Sequence, residues 1–195
     1  MKLFMDSSTN YLYLALYSDK EVSSFLRNGK NDHSETLVDV LDKFLKENNV
    51  TVDDITEIFV GRGPGSYTGV RISGTVAKVL ALIKNKKLFS FSTLDLLLVS
   101  KINKDGLYMP RIVAKKNHSY FKLAKIENNN ITFDKEDSFL IDEELLPFEN
   151  YQNIEATDEV LLTKGLAENI IKHNLYKEED IYNYVPNYLR SEING

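Results

Sequence analysis

The segment VGRGPGSYTGVRIS (residues 60–73) holds four of the nine glycines of this 195-residue chain and one of its four prolines. It follows the apolar run ITEIFV (residues 55–60), which is typical of a buried strand, and leads into a helical pattern from about Val70 to Asn85. Glycine tolerates backbone angles that other residues avoid, and it lets a second backbone or a ligand approach closely. The segment therefore predicts a rigid strand-to-helix connection that allows close packing at the helix start.

The known glycine-rich functional loops do not match this segment. A Walker loop ends in Gly-Lys-Ser/Thr, and no lysine occurs between residues 60 and 73. In the dinucleotide pattern G-x-G-x-x-G, the third glycine would fall on Ser66 or Thr68. The G-x-S-x-G nucleophile elbow fails too, because Ser66 directly follows Gly65. The spacing therefore gives poor support to phosphate binding or hydrolase chemistry at this loop.

The residues before the glycine-rich segment predict an α/β fold. Three alternating runs, KLFMD, YLYLALYS and EVSSFLRN, are separated by polar turns and are typical of a strand meander. The segment DHSETLVDVLDKFLKENN then has apolar residues at helical spacing. The resulting order, βββαβα, predicts a mixed sheet with helices on its faces.

The second half of the chain is predicted to be a further α/β unit. KLFSF, YMPRIVAK, YFKLAKIE, NITFDK and EVLLT are interpreted as strands, and TLDLLLVSKI and GLAENIIKHN as helices. Because the element order restarts, we predict an N-terminal domain over residues 1–95 and a smaller C-terminal domain over residues 96–195.

The helix after the glycine loop has two apolar stripes. Larger residues form the stripe that we predict to face the core: Ile72, Val76, Val79, Leu80 and Ile83. A second stripe has mostly small residues: Val70, Gly74, Ala77 and Ala81. Small side chains let another helix come close, and that helix belongs either to this chain or to a partner.

Composition limits the functional classes. A net charge of −5 disfavours nucleic-acid binding by this chain alone, since phosphate contacts require concentrated positive charge. The chain has no cysteine, which excludes disulfides and a catalytic thiol. The first ten residues leave no room for a signal peptide, and apolar runs are too short to cross a membrane. We therefore expect a cytoplasmic protein that is not bound to membranes.

Four motifs occur together in one order: MDSST, HSETLVDVLDKFL, GRGPGSYTGVRISGTVAKVLA and PNYLR. Together they resemble the TsaB (YeaZ) family of the actin/sugar-kinase/Hsp70-like superfamily. The resemblance implies a two-lobed actin-like fold (ASKHA, ribonuclease H-like) with mixed sheets flanked by helices. It also implies a role in forming threonylcarbamoyladenosine in tRNA, as a non-catalytic partner that binds and organises the catalytic paralogue TsaD.

Histidine spacing separates the chain from that paralogue. The resemblance implies that TsaD holds a metal through two histidines at i, i+4 spacing, whereas this chain has only His33, His118 and His173. We therefore expect no catalytic residue, no metal ligand and no intrinsic cofactor. Asp6, at the end of the first predicted strand, is a candidate for nucleotide binding by this chain itself. A nucleotide at the partner interface is a separate alternative that the sequence leaves open.

The two helices on either side of the ITEIFV strand supply the candidate partner interface. Its residues are predicted to be His33, Leu37, Arg71, Gly74, Ala77, Lys78 and Ala81. A cation near a helix start, such as Arg71, suggests a specific carboxylate or carbonyl partner. The resemblance further implies a TsaE-like ATPase in a larger complex, tRNA bound only through that complex, and a possible homodimer in isolation.

Two enzymatic readings compete with this hypothesis. The first is a small ASKHA-type ATPase or phosphotransferase that uses Asp6, although the loop DSSTN has no glycine for close approach of phosphates. The second is a peptidase, for which the chain has no nucleophile elbow, cysteine or zinc motif.

Overall fold

The computed structural model describes residues 1–29, 33–115 and 117–187, with side chains for all of these except residues 33–35. Ten strands occur in these ranges: β1 (Lys2–Asp6), β2 (Tyr11–Tyr17), β3 (Glu21–Asn28), β4 (Glu57–Gly61), β5 (Lys87–Phe91), β6 (Gly106–Lys115), β7 (His118–Glu127), β8 (Asn130–Ile141), β9 (Gln152–Ile154) and β10 (Tyr176–Glu178). The α-helices are α1 (His33–Glu47), α2 (Tyr67–Lys84), α3 (Thr93–Leu98), α4 (Asp158–Leu161) and α5 (Leu166–Lys172). Short 3-10 helices span Val52–Asp54, Val99–Lys101 and Asp142–Phe148.

The strands form two mixed sheets, which confirms the predicted α/β class. The first sheet has the order β10-β5-β4-β1-β2-β3. Its meander β1-β2-β3 is antiparallel, whereas β4 pairs in parallel with both β1 and β5. The second sheet has the order β8-β7-β6-β9, with β9 parallel to β6. This is the mixed arrangement that the order βββαβα predicts.

Both faces of the first sheet are buried, because apolar residues occupy odd and even positions of its central strands. On one face, Leu3 and Met5 of β1 pack with α1 and α2. On the other face, Phe4 stacks on Phe59 at 4.5 Å between ring centroids, and Phe59 stacks on Phe89 at 4.7 Å. This second face shares one hydrophobic cluster with α3, α5 and residues of the second sheet.

Two predicted elements differ in the structure. Helix α2 begins at Tyr67 rather than Val70, because Ser66 caps it by accepting a hydrogen bond from the Gly69 amide at 3.3 Å. The segment EVLLT is not a strand, since residues 158–161 form α4. The Thr157 hydroxyl accepts the Val160 amide there, and two acidic residues in the first turn favour the helix.

The chain returns to the first sheet near its C-terminus. Strand β10 forms one edge of this sheet and pairs antiparallel with β5, with Tyr176 opposite Phe91. Residues 176–187, named here the C-terminal segment, therefore lie against the N-terminal half. The domain boundary near residue 95 stays a prediction. Within the described ranges, no helix is both long and apolar enough to cross a membrane.

Candidate functional site

The glycine-rich loop packs closely against the turn that follows β1. A methyl group at Gly65 would lie 2.1 Å from the carbonyl oxygen of Ser8, and one at Gly69 would lie 1.9 Å from that of Ser7. The Ser66 amide donates to the Ser8 carbonyl at 2.7 Å, and the Ser7 hydroxyl donates to the Gly69 carbonyl at 2.7 Å. Only glycine permits such backbone contact, so the loop allows the close packing that the sequence predicts.

Asp6 lies beneath this contact and is 3% exposed. Its Oδ1 accepts the Ser8 amide at 2.7 Å, and its Oδ2 accepts the Thr93 hydroxyl at 2.8 Å. The carboxylate therefore fixes the turn after β1 to the start of α3. Nucleotide binding through Asp6 stays a prediction.

The small stripe of α2 faces the core, and the stripe of larger residues faces it only in part. Ala77 and Ala81 are fully buried, and Val70 is 2% exposed. Gly74 is also buried, because the Tyr184 ring of the C-terminal segment lies over it, 3.1 Å from the position of an added methyl group. The sheet and the C-terminal segment approach closest where side chains are small, which turns the small stripe inward. The assignment of Gly74, Ala77 and Ala81 to a partner contact is therefore corrected.

The stripe of larger residues on α2 is divided. Ile72, Val76 and Leu80 are half-buried and pack against the core. The remaining two, Val79 and Ile83, are 44% and 73% exposed, and the neighbouring Leu82 is 41% exposed. On α1, which packs beside α2, Val38 is 61% exposed. We name the residues Val38, Val79, Leu82 and Ile83 the outer apolar face.

The other predicted interface residues are dispersed. Leu37 is 1% exposed and belongs to the core beneath α1, so its assignment to a partner contact is corrected as well. Arg71 is exposed and contacts its own helix, where it donates to the Tyr67 hydroxyl at 3.0 Å. Lys78 donates to the Tyr182 carbonyl at 3.0 Å and so holds the C-terminal segment. The side chain of His33 lies outside the described part of the chain.

A cleft of about 700 Å³ lies between the start of α2 and the second sheet. Ser8, Ser66 and Tyr67 line one side, and Arg111 and Lys115 line the other. Arg111 is already engaged, since its guanidinium lies 3.0 Å from an Asp142 carboxylate oxygen and donates to the Ser119 hydroxyl at 2.8 Å.

A buried ionic cluster joins α3 to the second sheet. The Lys122 ammonium lies 2.7 Å from an Asp95 oxygen and 3.1 Å from an Asp137 oxygen, and all three side chains are less than 10% exposed. Glu136, which is mostly exposed, lies 3.2 Å away. Sequence patterns did not predict this cluster, although the lysine inside the apolar run YFKLA indicates a buried charge with a partner.

Burial raises the pKa of Asp95 to about 6 despite the neighbouring cation. Burial alone would lower the pKa of Lys122, but the surrounding carboxylates outweigh this effect and raise it. The cluster therefore holds more acidic groups than one lysine neutralises. No group of three or more His, Asp or Glu side chains that could hold a metal ion occurs within the described ranges.

Comparisons with known proteins match this fold and its motifs. Residues 27–156 match the family model described as "TsaD: tRNA N6-adenosine threonylcarbamoyltransferase". The tRNA threonylcarbamoyladenosine biosynthesis protein TsaB of Bacillus subtilis is 28% identical, over 96% of this chain and 93% of the relative. TsaB of Escherichia coli is 26% identical, over 74% of this chain and 63% of that relative.

A solved structure of YeaZ from Pseudomonas aeruginosa superimposes with a TM-score of 0.77 at 19% identity, covering 96% of this chain and 99% of that one. A second structure from this organism, described as similar to peptidase YeaZ, superimposes with a TM-score of 0.76 at 19% identity. These two matches bear on the fold. They agree with the predicted actin-like architecture of two mixed sheets flanked by helices.

The fold and the glycine-loop motif define a protein of the actin-like superfamily. The chain belongs to the family that the TsaD model describes, and its named relatives place it in the TsaB (YeaZ) group.

Proposed function

We propose that this chain is the non-catalytic partner subunit in tRNA N6-threonylcarbamoyladenosine modification, where it binds and organises a TsaD-like catalytic paralogue. Its relatives from two bacteria are named for this biosynthesis. The single observation that carries the partner role is the outer apolar face on α1 and α2. Val79, Leu82 and Ile83 are neighbours on α2 by their helical spacing, and a cluster of exposed apolar residues commonly marks a protein interface.

The outer apolar face stands on a rigid support. Beneath it, the small stripe of α2 is buried against the sheet, and Tyr184 fills the space above Gly74. Lys78 ties the same helix to the C-terminal segment. Helices held in this way lose little conformational entropy when a partner docks, which favours tight association.

The proposal includes a larger cytoplasmic complex with a TsaE-like ATPase. In that complex tRNA binds through the assembled surface, because the chain itself carries a net charge of −5. A nucleotide is held at the heteromeric interface rather than by this chain alone. In the absence of the paralogue, the outer apolar face supports a homodimer.

Replacement of Ile83 by aspartate should weaken binding of the paralogue about tenfold or more, because it places a charge in the centre of an apolar contact. The side chain is 73% exposed, so folding should be unaffected. Isothermal titration against the TsaD-like paralogue of the same organism measures the affinity, and thermal melting of the isolated variant tests its fold.

Leu162→Asp provides the matched control. Leu162 is 62% exposed but lies after α4, away from the proposed face. It should bind the paralogue with wild-type affinity. If Ile83→Asp also retains wild-type affinity, the outer apolar face is not the interface, and the partner proposal loses its main support.

A second measurement separates this proposal from the ATPase alternative. We expect the isolated chain to show no ATP turnover. We also expect Asp6→Ala to lower the free energy of unfolding by about 1–3 kcal/mol, because the Ser8 amide and the Thr93 hydroxyl lose their hydrogen-bond acceptor. A coupled ATPase assay and urea unfolding test both statements. Turnover by the pure protein that disappears in Asp6→Ala would favour the enzyme instead.

A further inference from the structure

The Lys122 cluster is connected to the C-terminal segment by hydrogen bonds. One oxygen of Asp137 lies 3.1 Å from the Lys122 ammonium and accepts the Ser92 hydroxyl at 3.0 Å. The other oxygen accepts the side-chain amide of Asn187 at 3.2 Å. Asn187 in turn donates its backbone amide to the Arg62 carbonyl in the glycine-rich loop at 2.8 Å. Asp137 is therefore the group through which the buried cluster holds the end of this segment.

The charges in the cluster are unequal. Facing Lys122 are Asp95 from α3 and Glu136 and Asp137 from β8, with the Phe133 ring 4.3 Å away. When all three carboxylates are ionised, Asp95 and Asp137 repel each other in a region from which water is largely excluded. One proton on Asp95 leaves the buried cation and Asp137 as a balanced pair.

We propose that the Lys122 cluster is a pH-sensitive latch for the C-terminal segment, closed when the cluster takes up a proton and loosened when it loses one. When the proton is lost, repulsion from Asp95 displaces Asp137. This displacement weakens the hydrogen bond that the second oxygen of Asp137 accepts from the Asn187 side chain. The device is testable on the isolated chain.

The sign of the pH dependence follows from Asp95. Its pKa is about 6 in the closed cluster, above the ordinary value of 3.8. Burial is the largest cause of this raised pKa. An opening that admits water to the cluster therefore weakens proton binding, so closure is favoured at low pH and weakens as the pH rises. A single linked proton changes the opening constant about tenfold per pH unit between the two pKa values.

Amide hydrogen exchange of the full chain, measured by NMR from pH 4 to 8, tests the latch. The protection factor of the Asn187 amide should fall about tenfold per unit between roughly pH 4 and 6 and then level off. In Asp95→Asn this pH dependence should be absent. In Glu136→Gln the fall in the Asn187 protection factor should occur at lower pH, because the Glu136 carboxylate contributes to the raised pKa of Asp95. Glu136 is 75% exposed, so its replacement should leave the fold intact.

The Leu14 amide provides the internal reference, because this fully buried residue of β2 reports global unfolding. The latch requires the Asn187 amide to exchange through a local opening, so its protection factor should be smaller than that of Leu14. Equal protection factors at the two amides across the pH range would show that Asn187 exchanges only through global unfolding, and this would overturn the proposal. A pH dependence of the Asn187 amide that persists unchanged in Asp95→Asn would overturn it as well.

Discussion

Lys122→Met should destabilise the protein by about 3–5 kcal/mol at neutral pH, because removal of one member of a buried ion pair leaves an uncompensated charge. Here two carboxylates, those of Asp95 and Asp137, would remain buried without a cation. Methionine nearly matches lysine in length, so the change removes charge and hydrogen bonds rather than volume. Urea unfolding monitored by circular dichroism measures the free-energy difference.

The loss should be smaller at pH 5 than at pH 8. Below the raised pKa of Asp95, about 6, that carboxyl is mostly protonated and needs no cation. Lys125→Met is the control, since Lys125 lies on the same strand and is 47% exposed. Its exposed pair with Glu127 should contribute at most about 1 kcal/mol. Equal losses for the two variants would contradict the buried ionic role of Lys122.

Ala77→Trp should cost about 3 kcal/mol or more of stability through overpacking. Ala77 is fully buried where α2 lies against the first sheet, so the indole ring has no space without movement of the helix. Thermal and urea unfolding measure the loss, and affinity for the paralogue should fall only as far as the fold is disturbed.

Val79→Trp is the matched control on the outward side of the same helix. Val79 is 44% exposed, and its replacement should change stability by no more than about 0.5 kcal/mol. A normal melting temperature for Ala77→Trp would mean that the small stripe is not buried in solution. Its original assignment to a partner contact would then be restored.

Residue patterns identified some parts of the candidate site and missed others. The glycine loop was recognisable because glycines at positions 61, 63, 65 and 69 are concentrated between a strand and a helix. The Lys122 cluster was not, because Asp95, Lys122 and Asp137 lie far apart in sequence and meet only when α3 packs on the second sheet. A charged residue in an apolar strand indicates that a partner exists but does not identify it.

Local residue patterns were enough to predict the order of most elements. Apolar periodicities of two and of 3.6 residues predicted the meander β1-β2-β3, the helices α1 and α2 and the parallel strands around the glycine loop. The motif combination also predicted the family. These features are local, because each depends on backbone geometry and on neighbours within a few positions along the chain.

The side of α2 that is buried most deeply depends on long-range packing. Both stripes of this helix are apolar, and periodicity fixes the angle between them without indicating which one faces the sheet. The decision came from distant residues: Tyr184 needs the space above Gly74, and the sheet approaches α2 closely at Ala77 and Ala81. Larger side chains such as Ile83 then remain outside, because close packing leaves no volume for them within.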